Sequence, residues 1–317
     1  MLWYLVRRTI GVVPVLIGVT IVAFGIIALI PGDPATAMLG AQASQASVDA
    51  LRAEMGLDQP LPVQYWRWLS DAVTGDLGTS IRLGGPVSAL VARRFVNTLW
   101  LTGSSLLLAT VVGIGTGIVA ARRAGSLTDR MVMLGSLFGN SMPHFWLGIL
   151  LIVLFALRLE WLPAGGMFSI REGPSLSQTL VHLILPAVTL GLIAAGVTAR
   201  LARSAMAEVL GQDYIRTARA IGVRESVITW KHALKNAALP IITIIGAQAG
   251  FLLSGAVLTE IVFAWPGIGT LMYDSITQRD FPVVQACLLL IAAAVTLANL
   301  AVDVVYGLLD PRIHYAA

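Results

Sequence analysis

The chain has 317 residues, 57% of them hydrophobic and only 12% charged, and its mean hydropathy is +0.82. A soluble domain carries about a quarter charged residues, so this composition excludes a soluble enzyme or binding module and requires an integral membrane protein. The net charge of +4 and pI of about 9.6 do not indicate a nucleic-acid partner, because the positive side chains fall at the borders of apolar stretches rather than on one soluble face.

Crossing the hydrocarbon core as a helix takes about 20 apolar residues. Six stretches reach that length, at 9–30, 97–121, 131–157, 181–200, 237–260 and 283–307. Only helices satisfy their own backbone over such lengths, and the alternating segments of a barrel are absent, so the expected fold is an all-α integral membrane protein with six transmembrane helices. The first stretch follows Arg7 and Arg8 and reaches Pro31 without an A-x-A site, which reads as an uncleaved signal-anchor helix.

No repeat or linker divides residues 1–317, which are read as a single membrane domain. Residues 31–96 form the largest piece outside the spans. It opens on the turn Pro31-Gly32-Asp33-Pro34, then Ser47 stands as an N-cap before Val48–Met55 and Gly56 as the stop. The stretch Val63–Val73 places Tyr65, Trp66, Trp68 and Leu69 close together on a short helix, suited either to the membrane interface or to docking of an external protein.

Polar residues within spans are costly, about 3 kcal/mol for an ionisable one, and so mark either function or packing. Asn140 and Ser141 precede Pro143 in the third span, and Gln248, Ser254, Thr259 and Glu260 lie along the fifth. Asn140, Ser141, Gln248 and Ser254 are the candidates to face a pathway, with bonding to a neighbouring helix as the alternative. Asn299 and Asp303 lie in the sixth span, and Asp303 reads as structural, near a membrane interface. Gly113, Gly115, Gly117, Gly135 and Gly139 read as close helix packing rather than a cofactor fingerprint, since no strand precedes them. Cys287 is alone and reads as a buried thiol.

With the N-terminus inside, cytoplasmic segments hold thirteen of the twenty-one basic residues, against three in the two short outer loops. The positive-inside rule therefore puts both termini and residues 201–236 in the cytoplasm and residues 31–96 outside.

Chemistry is hard to find. A P-loop needs glycine-lysine followed by serine or threonine, whereas Lys231 precedes His232 and Lys235 precedes Asn236. His144, His182, His232 and His314 are scattered without metal-ligand spacing, and no nucleophile elbow occurs. The chain is thus expected to bind no cofactor or metal, to interact with no nucleic acid and to perform no catalysis of its own.

The most informative segment is Asp213–Asn236, DYIRTARAIGVRESVITWKHALKN, a basic run that cannot sit in lipid. Arg216, Thr217 and Ala218 precede Gly222, and HALK begins ten residues after that glycine. Gly222 suits a sharp turn between two short helices, with Arg219, Arg224, Lys231 and His232 facing water. Taken alone the segment is either a docking element or an ordinary basic loop.

This spacing resembles the coupling loop, E-A-A-x3-G-x9-I-x-L-P, of importer permeases in the ATP-binding-cassette (ABC) superfamily. Further ordered matches run along nearly the whole chain, among them Pro31-Gly32-Asp33-Pro34, Gly75-Asp76-Leu77-Gly78-Thr79-Ser80, Pro143-His144-Phe145-Trp146, Leu185-Pro186-Ala187, Trp265-Pro266-Gly267-Ile268-Gly269, Arg279-Asp280-Phe281-Pro282 and Asp310-Pro311-Arg312. They are similar to the dipeptide, oligopeptide and nickel permeases, of the first-permease type. Two positions depart: Ile221 replaces a usual lysine, and Lys235 takes the proline position of the general pattern.

The resemblance implies a multi-pass protein of a prokaryotic inner membrane. It implies a second homologous permease, two cytoplasmic ATP-binding subunits that use ATP and Mg, and an extracytoplasmic solute-binding protein as partners. Asp213, Tyr214, Arg216, Thr217, Ala218, Arg219, Gly222, His232 and Leu234 would then serve ATPase coupling. The implied solute is a di- or oligopeptide, with glutathione, nickel chelates or another small solute as alternatives. A stand-alone secondary transporter or channel would differ by inverted repeats and discontinuous, charged spans, and an intramembrane enzyme would need the missing catalytic residues.

Overall fold

The computed structural model describes residues 2–29, 34–39, 44–54 and 56–309. The motifs at Pro31–Asp33 and at Asp310-Pro311-Arg312, together with His314, lie outside the described residues. In chain order the helices are α1 (Leu2–Leu29), α2 (Pro34–Leu39), α3 (Gln45–Glu54), α4 (Leu61–Val73), α5 (Val87–Arg122), α6 (Leu127–Ser141) and α7 (His144–Leu151), which continues as a π turn to Arg158. There follow α8 (Leu176–Leu210), α9 (Asp213–Ala220), α10 (Glu225–Val227), which passes through a second π turn into α11 (Leu234–Val262), α12 (Ile268–Thr277) and α13 (Phe281–Leu309).

Five of these segments are long and apolar enough to cross a membrane singly, and α6 with the α7 segment makes a sixth, bent by 103°. Each expected span therefore has its helix, with two differences. The spans outrun their apolar stretches: α5 has 36 residues and α8 has 35, because polar turns around Arg93 and Arg203 continue the same helix. The third span is not continuous. Pro143 disfavours helical backbone at Met142, whose ψ is 134°, and the chain turns there.

Small residues bring the central helices together. A methyl group placed on Gly113 would lie 2.6 Å from Thr198 Cβ, and one on Gly117 would lie 2.7 Å from the Ala199 carbonyl oxygen. Gly191 of α8 meets the Ser105 carbonyl of α5 in the same way. The packing expectation thus holds at Gly113 and Gly117, whereas Gly115, Gly135 and Gly139 have no neighbour within 4 Å in this chain. Leu101, Leu190 and Leu252 fill the space between α5, α8 and α11.

The far end of this core is closed by two buried carboxylates. Glu260, fully buried, accepts hydrogen bonds from Thr98 Oγ1 at 2.6 Å, the Gly269 amide at 2.7 Å and the Thr270 amide at 3.2 Å. It joins α5, α11 and α12. Trp265 reinforces the join by donating from Nε1 to the Asn97 carbonyl at 2.9 Å. Asp280 accepts from Ser80 Oγ and from the amides of Ile81 and Arg82, both at 3.2 Å, which fastens the loop before α5 to the start of α13.

At the periphery α1 lies along α13, where Arg8 pairs with Asp303 at 3.2 Å, a structural role as expected for Asp303. Helix α4 packs on α1: the Tyr65 and Thr20 hydroxyls are 2.8 Å apart, and the Phe24 ring meets those of Tyr65 and Trp68 at 5.6 and 6.0 Å. The α3 cap differs from expectation. Ser44 Oγ accepts from the Ser47 amide at 3.2 Å, so the helix starts three residues earlier than Val48.

Candidate functional site

Helix α9 is held by one deep anchor. Ile215 is fully buried among Ile118, Met206, Leu210 and Ile228, so the short helix is pinned to the ends of α5 and α8 and to the start of the fifth span. Asp213 in the first turn and Arg219 in the last complement the helix dipole.

The turn after α9 has a defined geometry. The Gly222 amide donates to the Arg219 carbonyl and the Val223 amide to the Ala218 carbonyl, each at 3.0 Å, with Gly222 at φ +82°. This is a Schellman ending, which wants a left-handed residue at the position Gly222 fills. A side chain there would meet nothing within 4 Å, so the requirement is conformational and not one of space.

Of the nine residues expected in coupling, Asp213, Tyr214, Arg216, Thr217, Arg219 and Gly222 are exposed. Ala218 and Leu234 are half-buried against the cluster around Ile215, and His232 is half-buried in the second π turn. Asp213 pairs with Arg216 at 3.3 Å, and the Tyr214 hydroxyl accepts from Asn236 Nδ2 at 3.0 Å, joining the two limbs of the loop. Ile221 is 75% exposed, an apolar side chain on the outer face where the family pattern has lysine.

Three features have no counterpart in the sequence reading. Arg219 donates from Nε to Glu225 Oε1 at 2.7 Å, an ion pair across the Gly222 turn. Beside it a cleft of about 520 Å³ opens between Arg122, Leu210, Arg219 and Glu225. Arg203 of α8 grips Asp129 of α6 through two hydrogen bonds, of 3.1 and 2.7 Å, and Asp129 also accepts from the Gly125 amide at 2.9 Å. A sequence signal existed only for the first, as opposite charges six residues apart.

The pathway candidates are dispersed. Asn140 and Ser141 are exposed at the end of α6, where Ser141 Oγ donates to the Leu137 carbonyl at 3.0 Å. Gln248 is buried, and Ser254 makes a long 3.4 Å bond to the Gly250 carbonyl of its own helix. No hydrogen bond joins the α6 pair to the α11 pair among the described residues. The contact with α11 on this side comes from α7, where the His144 ring lies tilted by 42° against that of Phe251 with centroids 6.1 Å apart. Among the described residues no three His, Cys, Asp or Glu side chains are grouped to hold a metal ion.

Comparison with known proteins shows the family. Residues 113–315 match the model of the binding-protein-dependent transport system inner membrane component, and residues 1–102 match the corresponding N-terminal model. The chain is 43% identical to a dipeptide transport system permease protein of Alkalihalophilus pseudofirmus, over 99% of this chain and all of that one. It is equally identical, 43% with the same coverage, to a glutathione transport system permease protein of Pectobacterium atrosepticum. In structure it is similar to an inward-facing MetNI methionine ABC transporter, with a TM-score of 0.56, 21% identity, and coverage of 70% of this chain and 96% of that one. The chain belongs to the binding-protein-dependent transport system inner membrane components and is a multi-pass inner membrane permease subunit of an ABC importer, a transport component that works with an ATPase and a substrate-binding protein.

Proposed function

We propose that the chain forms half of the membrane pathway for short peptides, with residues 201–236 as the cytoplasmic segment through which ATP hydrolysis is felt. The other half is a second homologous permease, and two ATP-binding subunits use ATP and Mg while this chain binds no cofactor. A solute-binding protein delivers from the opposite side, where residues 31–96 lie. The single domain of residues 1–317 carries both functions.

The observation that carries this reading is the build of α9: Ile215 fixes it rigidly to three long helices, while Asp213, Tyr214, Arg216, Thr217 and Arg219 present an unobstructed outer face. A push on that face is transmitted to α5, α8 and α11 together, because a close-packed interior moves as a body. The full-length identity to a dipeptide permease supports a di- or oligopeptide, and the equal identity to a glutathione permease supports glutathione, a tripeptide, as the second reading. The test is uptake of labelled dialanine and of labelled glutathione by vesicles holding the four-subunit complex with its binding protein. ATP-dependent uptake of either one supports the proposal and names the solute; ATP hydrolysis with uptake of neither overturns the peptide reading.

A further inference from the structure

The third span is broken at a depth where backbone is normally kept helical. Met142 and Pro143 are extended, with ψ of 134° and 133°, and the helices on either side meet at 103°. The His144 ring lies against that of Phe251, and about 16 Å of helix separates Phe251 from the end of α11 at Val262. The break therefore lies well inside the membrane. Open backbone at that depth is not tolerated against lipid; it occurs where protein covers it or where it lines water.

Here the chain itself does not cover it, since Asn140, Ser141 and Pro143 are all exposed. Pro143 gives α7 no side-chain cap, and His144 Nδ1 is enclosed without a hydrogen-bond partner. The His144 side chain as a whole is only half-buried, so the rest of its ring is open to what occupies the break. The groups gathered at the break are an amide, a hydroxyl and an imidazole. Each can donate and accept, as a peptide bond does, and none carries the fixed charge of a lysine, arginine or carboxylate.

We propose that the break between α6 and α7 lines a water-filled part of the solute path, where Asn140 and His144 hydrogen-bond the peptide group of a short peptide and Phe251 forms an apolar wall. The proposal rests on the permease reading given above. It extends that reading by making the permease itself, and not only the binding protein, a place where the solute is held.

The test uses the four-subunit complex in proteoliposomes, with Asn140→Cys in a chain whose native Cys287 is buried and gives little background. A water-soluble methanethiosulfonate should modify Asn140→Cys, and millimolar dialanine should suppress the modification. His144→Ala should lower ATP-driven dialanine uptake about tenfold, the worth of a lost hydrogen bond in a confined site, with His144→Gln retaining more. Modification only by a lipid-soluble maleimide, in a complex that still transports dialanine, overturns the inference and leaves the permease reading standing. Normal uptake by His144→Ala overturns the role of that residue. A wild-type complex that takes up neither dialanine nor glutathione overturns the peptide reading, while modification by the water-soluble reagent still decides whether the break faces water.

Discussion

Arg203 and Asp129, 74 residues apart, face each other squarely, with Nε on Oδ1 and Nη2 on Oδ2, and their pairing fastens α6 to α8 ten residues before α9 begins at Asp213. The Asp129 side chain is 7% exposed and that of Arg203 31%, so the pair is sheltered on one side only. Removing either partner leaves the other held by the fold without its counter-charge. Asp129→Ala and Arg203→Ala should each lower the thermal midpoint of the solubilised complex, and the double variant should lose less than the two single losses added. Additive losses in that cycle would show that the two residues act independently.

The crossing of α5 on α8 yields a second prediction. Gly117 meets the backbone of Ala199 and Arg203, which cannot move aside, whereas Gly115 faces open space. Gly117→Leu should cost about 3 kcal/mol or more through overpacking and abolish monodisperse protein on size-exclusion chromatography. Gly115→Leu should be tolerated in the isolated chain. If both variants behave alike, the packing in this region differs from that described.

The spans were legible in the sequence because apolarity over twenty residues has few other meanings, and the Gly222 turn was legible because glycine in a polar run between helices signals a left-handed stop. The break at Pro143 was not. Pro14, Pro186 and Pro240 sit inside continuous helices, so proline alone does not say which span bends. The anchor of α9 was also hidden: Ile215 is one apolar residue in a basic stretch, and its burial depends on Ile118 and Met206, which arrive from other helices. The sequence marks Ser47 as the cap because a serine before an amphipathic stretch suits that position; Ser44, which caps the helix in the fold, carries the same local signal.

Two helices close on residues that are not glycine although the geometry favours it. Ala264 follows α11 at φ +48° and Arg279 follows α12 at φ +57°, each in the left-handed position of a Schellman ending. The conformation costs an L-residue about 1 kcal/mol relative to glycine. Arg279→Gly should therefore raise the thermal midpoint slightly, since Arg279 is exposed and the Asp280 contacts are made by its neighbour. A fall in the midpoint would mean that the arginine side chain stabilises this corner more than its backbone strain costs.

Orientation in the membrane is tested by two exposed serines at opposite ends of the chain's topology, Ser70 on α4 and Ser226 beside the Gly222 turn. The excess of basic residues around Ser226 predicts that it lies inside. In intact cells an impermeant maleimide should label Ser70→Cys and spare Ser226→Cys, and permeabilisation should expose the second. The reverse pattern would invert the whole assignment of binding-protein side and ATPase side.

The coupling assignment is most sharply tested at Gly222. Its left-handed backbone is needed for the turn, yet nothing lies within 4 Å of where a side chain would go, so a substitution strains the loop without pushing on any span. A β-branched residue at positive φ is disfavoured by about 1–2 kcal/mol, enough to shift a short exposed turn but small against the burial that holds α5, α8 and α11 together. Gly222→Val should accordingly reach the membrane in normal amount and pair with the second permease. ATP-driven uptake should fall, either because the ATPases co-purify poorly or because hydrolysis proceeds without transport. Co-purification of the four subunits, ATPase activity and vesicle uptake measured on one preparation separate these routes. Normal assembly with normal uptake would remove Gly222 from the coupling machinery, and loss of the permease from the membrane would assign it to folding instead.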